Sequence, residues 1–430
     1  MPDCFRVEGG IPLRGDVVLS GSKNGALPVL AATLLVEGDV LLHNVPRISD
    51  IERMCQMIAL LGADVRRDGD TVRINAAHLS TTRADRDLSA AMRASIDVVG
   101  PLLARCGHAE VPLPGGCAIG SRPVGYIIQA LQQLGVQTEE RTDVVVCTTE
   151  GRLQGGTVTL DPVYRSPRAT FIVAMTAALA AGRTVIENAS PDPEVEGFCH
   201  FLQAAGVGVE GIGTSRLVIE GRERLHGCEH TILSDRIEAG TYLLAGAATK
   251  GEVRVHPIKP DHIASLLDKL EEMGLSVLRE ADAVTVRYEK RPTGATVYTT
   301  PFPGFPTDLQ PPMVVLMCLA EGRSAMYETI YDGRLNYVHE LRRMGAQVKL
   351  ETGQQAVIEG VDTLQGRQVE GADMRAGAAL VVAALAASGE STIDGRHYII
   401  RGYECLEEKL AALGARISIP TGAGGDCVEA

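Results

Sequence analysis

A cysteine in a glycine-rich stretch is the residue of this chain best placed to do chemistry. The stretch Pro112–Pro123 reads PLPGGCAIGSRP and holds Cys117 and Arg122. Glycines allow the backbone to approach a ligand closely, a thiol can donate a proton, and a guanidinium binds phosphate or carboxylate. The alternative is a turn between two strands in which Cys117 is a small apolar filler.

Other polar residues interrupt apolar segments of the chain, mostly near the starts of similar segments. They are Lys23, Asn24, Arg93, Asp308, Arg334, Asp373, Arg375, Arg401 and Glu404. Each one alone is typical of a solvated surface charge or a helix cap. Several cations that converge on one cleft would form a site for a multiply charged anion.

An internal repeat predicts the elements that must position these residues. Helix-like segments end on one series of glycines, and apolar segments end on a second series ahead of it. The first series is Gly62, Gly135, Gly206, Gly274, Gly345 and Gly414, and the second is Gly38, Gly107, Gly182, Gly251, Gly322 and Gly389. Both series predict helix ends at which glycine takes a positive φ. Each unit then reads as a buried helix, a strand, an amphipathic helix and further strands, so the six units form small α/β modules in one ring or in two groups of three.

Composition excludes several classes of function. The chain has 430 residues and a formal net charge of −13, which argues against nucleic acid or an anionic membrane as the main partner. Its ten cysteines include no C-x-x-C pair, so neither a disulfide framework nor a zinc site is expected, and a reducing cytoplasm is the natural location. Neither a signal peptide nor an apolar run of membrane-spanning length is visible.

Seven motifs carry a resemblance to a known family. In order they are SGSKNGALP, RASI, LPGGCAIGSRP, SDRIEAGTY, FPTDLQ, ADMRAG and RGYE. From about Phe5 to Ile419 the chain closely resembles the UDP-N-acetylglucosamine enolpyruvyl transferases, or 1-carboxyvinyltransferases. The resemblance implies a two-domain inside-out α/β barrel of six βαβαββ-type units. Residues 23–232 would form an inserted domain, residues 1–22 and 233–419 a second domain with the ligand in the cleft between them, and residues 420–430 a flexible tail.

The resemblance also implies the reaction and the roles of the candidate residues. The enolpyruvyl group of phosphoenolpyruvate passes to a sugar hydroxyl of a uridine nucleotide, and phosphate leaves through a tetrahedral ketal, without cofactor or metal. Cys117 would be the general acid and Asp308 the general base, with Lys23 and Arg401 also catalytic. Phosphoenolpyruvate would be bound by Lys23, Arg93, Arg122, Arg334, Arg375 and Arg401. The acceptor would be bound by Asn24, Arg122, Pro123, Val124, Arg165, Arg168, Asp308 and Ile330.

Departures from the family pattern fall on the nucleotide-sugar side. Gly125 and Ile127 stand where the family has aspartate and histidine, and Ser190–Glu194 replaces A-R-E-P-E. In the Tyr164–Thr170 loop, Pro167 removes an amide donor, while Arg165 and Arg168 add positive charge. We therefore expect an altered acceptor, UMP, as in nucleoside-antibiotic biosynthesis. The alternative acceptor is UDP-N-acetylglucosamine, as in peptidoglycan biosynthesis, and a non-catalytic binding paralogue is a further alternative.

The role of Cys117 is tested by replacing the thiol. Cys117→Ser should lose most turnover because a hydroxyl is a far weaker acid than a thiol, whereas Cys117→Asp should retain activity because a carboxylic acid can donate the proton. Fosfomycin, an epoxide that resembles phosphoenolpyruvate, should alkylate the wild-type cysteine, as measured by mass spectrometry. Full turnover in Cys117→Ala would contradict the assignment.

Overall fold

The chain divides into two compact units. The structure is a computed structural model, and it describes residues 3–113 and 124–420. Residues 21–113 and 124–233 form one unit, here called the inserted unit, and residues 3–20 and 234–420 form the other, the outer unit. Cys117, Arg122 and Pro123 lie outside the described residues, as does the expected tail after residue 420.

The first two strands of the chain belong to the outer unit. They are β1 (Cys4–Glu8) and β2 (Arg14–Val18). The inserted unit follows with helices α1 (Lys23–Ala32), α2 (Ser49–Leu60), α3 (Arg86–Ala91), α4 (Val99–Cys106), α5 (Gly125–Gln132), α6 (Pro167–Ala177) and α7 (Pro193–Ala204). Its strands are β3 (Asp39–His43), β4 (Asp64–Asp68), β5 (Thr71–Asn75), β6 (His108–Pro112), β7 (Gln137–Arg141), β8 (Val144–Thr148), β9 (Thr157–Thr159), β10 (Arg183–Glu187), β11 (Gly208–Glu210), β12 (Arg216–Glu220) and β13 (Cys228–Thr231).

The outer unit is completed by the C-terminal half of the chain. Its helices are α8 (Arg236–Ala248), α9 (Ala264–Glu272), α10 (Gln310–Leu319), α11 (Val338–Arg343), α12 (Met374–Ala386), α13 (Arg396–Ile399) and α14 (Leu406–Ala412). Its strands are β14 (Glu252–His256), β15 (Ser276–Arg279), β16 (Val284–Arg287), β17 (Thr296–Tyr298), β18 (Arg323–Tyr327), β19 (Gln347–Thr352), β20 (Gln355–Glu359), β21 (Gln368–Glu370), β22 (Glu390–Asp394) and β23 (Arg416–Ser418).

The sheets tie the two ends of each unit together. In the inserted unit the strand orders are β13-β3-β5-β4, β6-β8-β7 and β11-β12-β10-β9. In the outer unit they are β15-β16-β14-β2, β17-β18-β20-β19 and β21-β22-β1-β23. The last strand of the inserted unit, β13, pairs in parallel with its first strand, β3. Likewise β2 pairs with β14, and β1 lies between β22 and β23, so the N-terminal segment is built into the outer unit.

The predicted order of a helix, a strand, a second helix and two strands recurs along the chain. It is found, for example, as α1-β3-α2-β4-β5, α6-β10-α7-β11-β12 and α8-β14-α9-β15-β16. The first helix of each such unit is apolar on all sides; in α8 every residue is buried. Helices α8, α10 and α12 pack against one another at the centre of the outer unit, and the Ala- and Gly-rich sequences of α8 and α12 allow close approach. No helix within residues 3–113 and 124–420 is long and apolar enough to cross a membrane.

The two glycine series play different parts in the structure. All six glycines that follow the amphipathic helices have positive φ, namely Gly62, Gly135, Gly206, Gly274, Gly345 and Gly414. In the other series, Gly38 and Gly251 do not have positive φ, so the expectation of positive φ throughout that series is wrong. Close approach of the backbone explains these two glycines, because a Cβ at Gly251 would lie 1.9 Å from the carbonyl oxygen of Leu13.

Two arginines cap the carboxyl ends of buried helices at equivalent positions of the repeat. Arg152 donates to the carbonyls of Leu179, Ala180 and Arg222. Arg291 donates to those of Leu319, Ala320 and Val361. Carbonyls at a helix end lack partners within the helix, and a cation there also matches the helix dipole. The sequence reasoning did not single out either arginine.

Removing this cap should destabilise the outer unit. Arg291→Ala leaves partly buried carbonyls without a donor, and each such group costs about 1–3 kcal/mol. A lower melting temperature is expected by differential scanning fluorimetry. Arg287→Ala is the matched control: Arg287 forms an exposed ion pair with Glu252, so its loss should change the melting temperature little. Equal melting temperatures for the two variants would contradict the capping role.

Candidate active site

The amino ends of several buried helices begin on a short polar cap. Each cap side chain accepts a hydrogen bond from a backbone amide of the first helical turn. The caps are Ser22 of α1, Ser166 of α6, Asp235 of α8 and Asp373 of α12. Asp373, one of the sequence candidates, therefore serves the backbone of α12 through the amides of Arg375 and Ala376, 2.9 and 3.1 Å from its Oδ1.

A basic residue follows each of these caps within two positions. They are Lys23, Arg168, Arg236 and Arg375. Helices α1 and α6 have serine caps and no acidic residue in the first turn, so Lys23 and Arg168 lie at the positive end of the helix dipole without local compensation, whereas α12 has the cap carboxylate of Asp373. This placement is unfavourable for a cation. The charges must therefore be balanced by residues distant in sequence.

Asp308 balances two arginines in the outer unit. It lies in a 3₁₀ turn, Thr307–Leu309, directly before α10. Its Oδ1 accepts a hydrogen bond from Nη2 of Arg334 at 2.8 Å, and its Oδ2 accepts one from Nε of Arg375 at 3.3 Å. The structure thus brings together three predicted site residues that are far apart in the sequence.

Both guanidinium groups are buried and only partly satisfied. The side chains of Arg334 and Arg375 are each 1% exposed. Nε of Arg334 and both terminal nitrogens of Arg375 make no well-formed hydrogen bond to any described residue, although Nη2 of Arg375 lies 3.2 Å from Oδ2 of Asp308 as an ion pair. Burial opposes the charge of Arg375, but Tyr403 and Asp308 raise its pKa above the ordinary value, so the group stays cationic. A buried cation with unused donors is suited to a carboxylate or phosphate ligand.

Tyr403 supports Arg375 from the RGYE motif. The guanidinium carbon of Arg375 lies 5.2 Å from the centroid of the Tyr403 ring, a cation–π distance. The Tyr403 hydroxyl is 3.0 Å from the hydroxyl of Thr241, which fixes the ring. Arg401, in the same motif, is half-buried in the turn after α13. The sequence reasoning named Arg401 and missed Tyr403, although the tyrosine lies within a motif that it quoted.

Glu328 organises the loops on both sides of Asp308. This carboxylate is buried and accepts hydrogen bonds from the hydroxyls of Thr299 and Thr307, at 3.0 and 2.9 Å. It also accepts from the amide of Ile330 at 2.9 Å. Burial raises the pKa of Glu328, and these hydrogen bonds oppose the rise. Glu328 thus holds the residue before Asp308 and the backbone of Ile330 in one arrangement; the sequence reasoning did not identify it.

In the inserted unit, Lys23 pairs with a buried carboxylate. Its Nζ lies 2.7 Å from Oδ2 of Asp50, whose side chain is 3% exposed. Arg53 donates to the other oxygen of Asp50 at 3.1 Å. Asp50 is the distant residue that balances the cation at the start of α1.

Arg168 is balanced in the same way by Asp97. Nη1 of Arg168 forms a short ion pair with Oδ1 of Asp97, a residue that is fully buried. Burial raises the pKa of Asp97, whereas Arg168 and Arg93 act in the opposite direction. Arg93 begins the 3₁₀ helix Arg93–Val98, which also carries Asp97. The sequence reasoning named both arginines but not the aspartate that lies beside them.

The remaining predicted residues are placed separately. Nε of Arg165 donates to the carbonyl of Pro162 at 3.2 Å, and its φ of +37° places it in the left-handed region. Asn24 is exposed on α1, and Val124 is half-buried directly before α5. Cys117, Arg122 and Pro123 lie outside the described residues. In the part of the chain that the structure describes, no group of three or more His, Cys, Asp or Glu side chains is arranged to hold a metal ion.

Comparison with protein families identifies relatives over nearly the whole chain. The family model of EPSP synthase (3-phosphoshikimate 1-carboxyvinyltransferase) matches residues 7–410. A UDP-N-acetylglucosamine 1-carboxyvinyltransferase of Shewanella amazonensis is 43% identical over 416 residues, which cover 96% of this chain and 99% of the relative. The enzyme of the same name from Halorhodospira halophila is 44% identical over 412 residues, with 96% and 98% covered.

Solved structures agree with this result. The enolpyruvyl transferase NikO from Streptomyces tendae is 26% identical, with a TM-score of 0.87 over 96% of this chain and 98% of that one. EPSP synthase from Acinetobacter baumannii is 18% identical, with a TM-score of 0.72 over 97% and 100% of the two chains, and shows the same fold. The expected enolpyruvyl transferase fold is confirmed.

The charge balance around Asp308 predicts a measurable anion effect. Asp308→Asn removes the negative charge between two buried guanidinium groups, so the ligand-free variant should melt at a lower temperature than the wild type. Inorganic phosphate, at constant ionic strength, should raise the melting temperature of this variant more than that of the wild type, because an anion replaces the lost charge. Asp268→Asn is the control, since it removes an exposed carboxylate of the outer unit that pairs with Arg279. Equal phosphate-induced shifts in the wild type and Asp308→Asn would contradict this account.

Proposed function

The chain belongs to the family of enolpyruvyl transferases, and we propose that it transfers the enolpyruvyl group of phosphoenolpyruvate to UDP-N-acetylglucosamine with release of phosphate. The observation that carries the proposal is the pair of buried, incompletely satisfied guanidinium groups beside Asp308. Such a pair fits the carboxylate of phosphoenolpyruvate. Arg334 and Arg375 take that role in the proposal.

The phosphate of phosphoenolpyruvate requires further cations. The proposal gives this role to Lys23, Arg122 and Arg401, with Arg93 as an additional ligand. Support for Lys23 comes from its fixed position, because the ion pair with buried Asp50 at 2.7 Å holds its ammonium group at the start of α1. A group that is already positioned loses little entropy when the ligand binds.

In the proposed reaction, Cys117 is the general acid and Asp308 is the general base. Addition of the acceptor hydroxyl to phosphoenolpyruvate needs a proton on the methylene carbon, which the thiol of Cys117 supplies. The hydroxyl proton goes to Asp308; the methyl group of the tetrahedral ketal then returns a proton to the thiolate of Cys117 and phosphate leaves, so that the double bond re-forms. Two arginines hold the Asp308 carboxylate in place, so its contribution comes from orientation toward the hydroxyl as much as from basicity.

The sequence predicts UMP as the acceptor, and the contacts of two arginines weaken that prediction. It depended on two arginines that would grip a terminal phosphate. Instead, Asp97 neutralises Arg168, and Arg165 donates to a neighbouring carbonyl. The relatives at 42–44% identity are named for UDP-N-acetylglucosamine, which favours the alternative acceptor. Asn24, Val124, Asp308 and Ile330 remain its proposed ligands, together with Arg122 and Pro123.

A competition assay tests the acceptor. Phosphate release from phosphoenolpyruvate should be rapid with UDP-N-acetylglucosamine and slow with UMP at equal concentration, because the sugar nucleotide carries the hydroxyl that receives the enolpyruvyl group. Mass spectrometry of the product should show the addition to UDP-N-acetylglucosamine when both acceptors are present. Turnover of UMP alone would restore the first expectation, and binding of both substrates without phosphate release would favour a non-catalytic paralogue.

Asp308→Asn serves as the catalytic control in the same assay. It should abolish phosphate release with either acceptor, since the amide cannot take the hydroxyl proton. Arg287→Ala, an exposed ion-pair variant of the outer unit, should behave as the wild type.

A further inference from the structure

We propose that Glu328 is a positioning residue for the enolpyruvyl transfer, which aligns the proposed base Asp308 with the acceptor-binding segment at Ile330. The inference rests on the proposed function, because Asp308 and Ile330 take those roles in it. It gives a part in the reaction to a buried carboxylate whose hydrogen bonds reach both segments.

The two oxygens of Glu328 have different partners. Its Oε2 accepts a hydrogen bond at 2.9 Å from the hydroxyl of Thr307, which directly precedes Asp308. Its Oε1 accepts from the backbone amides of Ile330 and Tyr331, at 2.9 and 3.1 Å. One oxygen thus holds the turn that carries the base, and the other holds the segment that binds the acceptor.

Thr299 connects the acceptor segment to a second strand. Its hydroxyl donates to Oε1 of Glu328 at 3.0 Å and accepts from the amide of Thr329 at 2.9 Å. Thr299 directly follows β17, and Glu328 directly follows β18, which pairs in parallel with β17. The neighbouring ends of these two strands therefore place the carboxylate among the loops that it holds.

The sequence before Asp308 explains why its backbone needs a side-chain anchor. Residues 301–306 include three prolines, which have no amide hydrogen, so this loop has few backbone donors. The hydroxyl of Thr307 supplies a donor directly before the base, and its acceptor, Glu328, is 1% exposed. Water cannot replace a buried acceptor, so this hydrogen bond fixes the turn.

The charges around Glu328 fit an indirect role. Burial raises the pKa of Glu328, whereas its hydrogen bonds and the nearby cation Arg334 favour the ionised form. Arg334 also donates to Asp308 at 2.8 Å, so one buried guanidinium stabilises both carboxylates. Because Glu328 is itself almost fully buried, it acts on the reaction through the residues that it holds.

Variants of Thr307 test the contact of Oε2 by steady-state phosphate release. Thr307→Val keeps the shape of the side chain and removes the hydroxyl, so kcat should fall about tenfold, the effect of one lost hydrogen bond to a charged group. The KM for the acceptor should stay within about twofold of the wild-type value. Thr307→Ser keeps the hydroxyl and should recover most of kcat.

Variants of Thr299 test the contact of Oε1 in the same assay. Thr299→Val should raise the KM for the acceptor about fivefold and change kcat less than about twofold, because it loosens the segment that carries Ile330. Thr299→Ser should recover the acceptor KM. Ser324→Ala is the matched control, since its buried hydroxyl accepts from the amide of Ala295 near the starts of β17 and β18. It should lower the melting temperature and leave kcat and both KM values unchanged.

Glu328→Gln separates the two contacts within one residue. Backbone amides can only donate, so the glutamine oxygen takes the place of Oε1 and the NH2 group faces Thr307. We therefore expect kcat to fall about threefold or more, with an acceptor KM near the wild-type value. The double variant with Thr307→Val should match Thr307→Val alone, because both changes act on one hydrogen bond.

Several results would overturn the role of Glu328. They are an unchanged kcat in a folded Thr307→Val variant, an equal loss of kcat in Thr307→Val and Thr307→Ser, and an unchanged acceptor KM in Thr299→Val. A double variant whose loss of kcat equals the product of the two single losses would also overturn it. If Thr307→Val does not fold, Glu328→Gln decides, and an unchanged kcat in that variant contradicts the inference.

The wild type separates this inference from the proposed function. If the wild type releases phosphate with UMP and not with UDP-N-acetylglucosamine, the proposed acceptor is wrong and the same variants are compared with UMP. If it releases phosphate with neither, the proposed function and this inference both fail. Wild-type turnover combined with unchanged constants in the Thr307→Val and Thr299→Val variants contradicts only the role of Glu328.

Discussion

The candidate site depends on one kind of interaction, the pairing of a cation at the amino end of a buried helix with a carboxylate. Helices α1, α6 and α12 each have a basic residue at the first or second position and no acidic residue within the first turn, although the cap of α12 is Asp373. Both burial and the helix dipole oppose this arrangement. It is stable in this protein because a carboxylate from a distant part of the chain meets each cation. The compensated cations therefore lie at helix amino ends, which is where an anionic substrate binds.

The compensating carboxylates differ in how far they are exposed to a ligand. Asp50 and Asp97 are buried beside Lys23 and Arg168 and so act as fixed anchors. Asp308 is more exposed, at 24% of its side chain, and lies between two arginines that are almost fully buried. A carboxylate in that position can both neutralise its neighbours and face a reactant. The same electrostatic device thus yields an anchor in the inserted unit and a candidate base in the outer unit.

At the carboxyl ends of the buried helices, arginines lie where the helix dipole favours a positive charge. There the carbonyl groups carry the negative end of the dipole, and Arg152 and Arg291 satisfy them directly. These arginines have the favourable sign for their position and stabilise the helices, and the carboxylates paired with them, Glu223 and Asp362, are exposed rather than buried. Arginine therefore has two distinct roles in this fold, and the end of the helix decides which role applies.

The sequence by itself determined the repeat, the buried apolar helices and the positions of the polar residues at their starts. These features depend on local periodicity and on turn residues, which are visible within a short window of the chain. The motifs around Lys23, Asp308, Arg375 and Arg401 were also sufficient to indicate the family. Local patterns could not show that Gly251 is required by the approach of Leu13 rather than by a positive φ.

Only the tertiary structure decided which charges meet. Asp308 contacts arginines 26 and 67 positions away, and Asp97 contacts an arginine 71 positions away. Such pairs form because the repeats bring the starts of different helices together, and no spacing in the chain encodes them. For the same reason the sequence did not indicate Asp97, Glu328 or Tyr403, and it indicated the positive charge of Arg168 without the carboxylate that pairs with it. Its buried partner is set by packing, which a single sequence does not display.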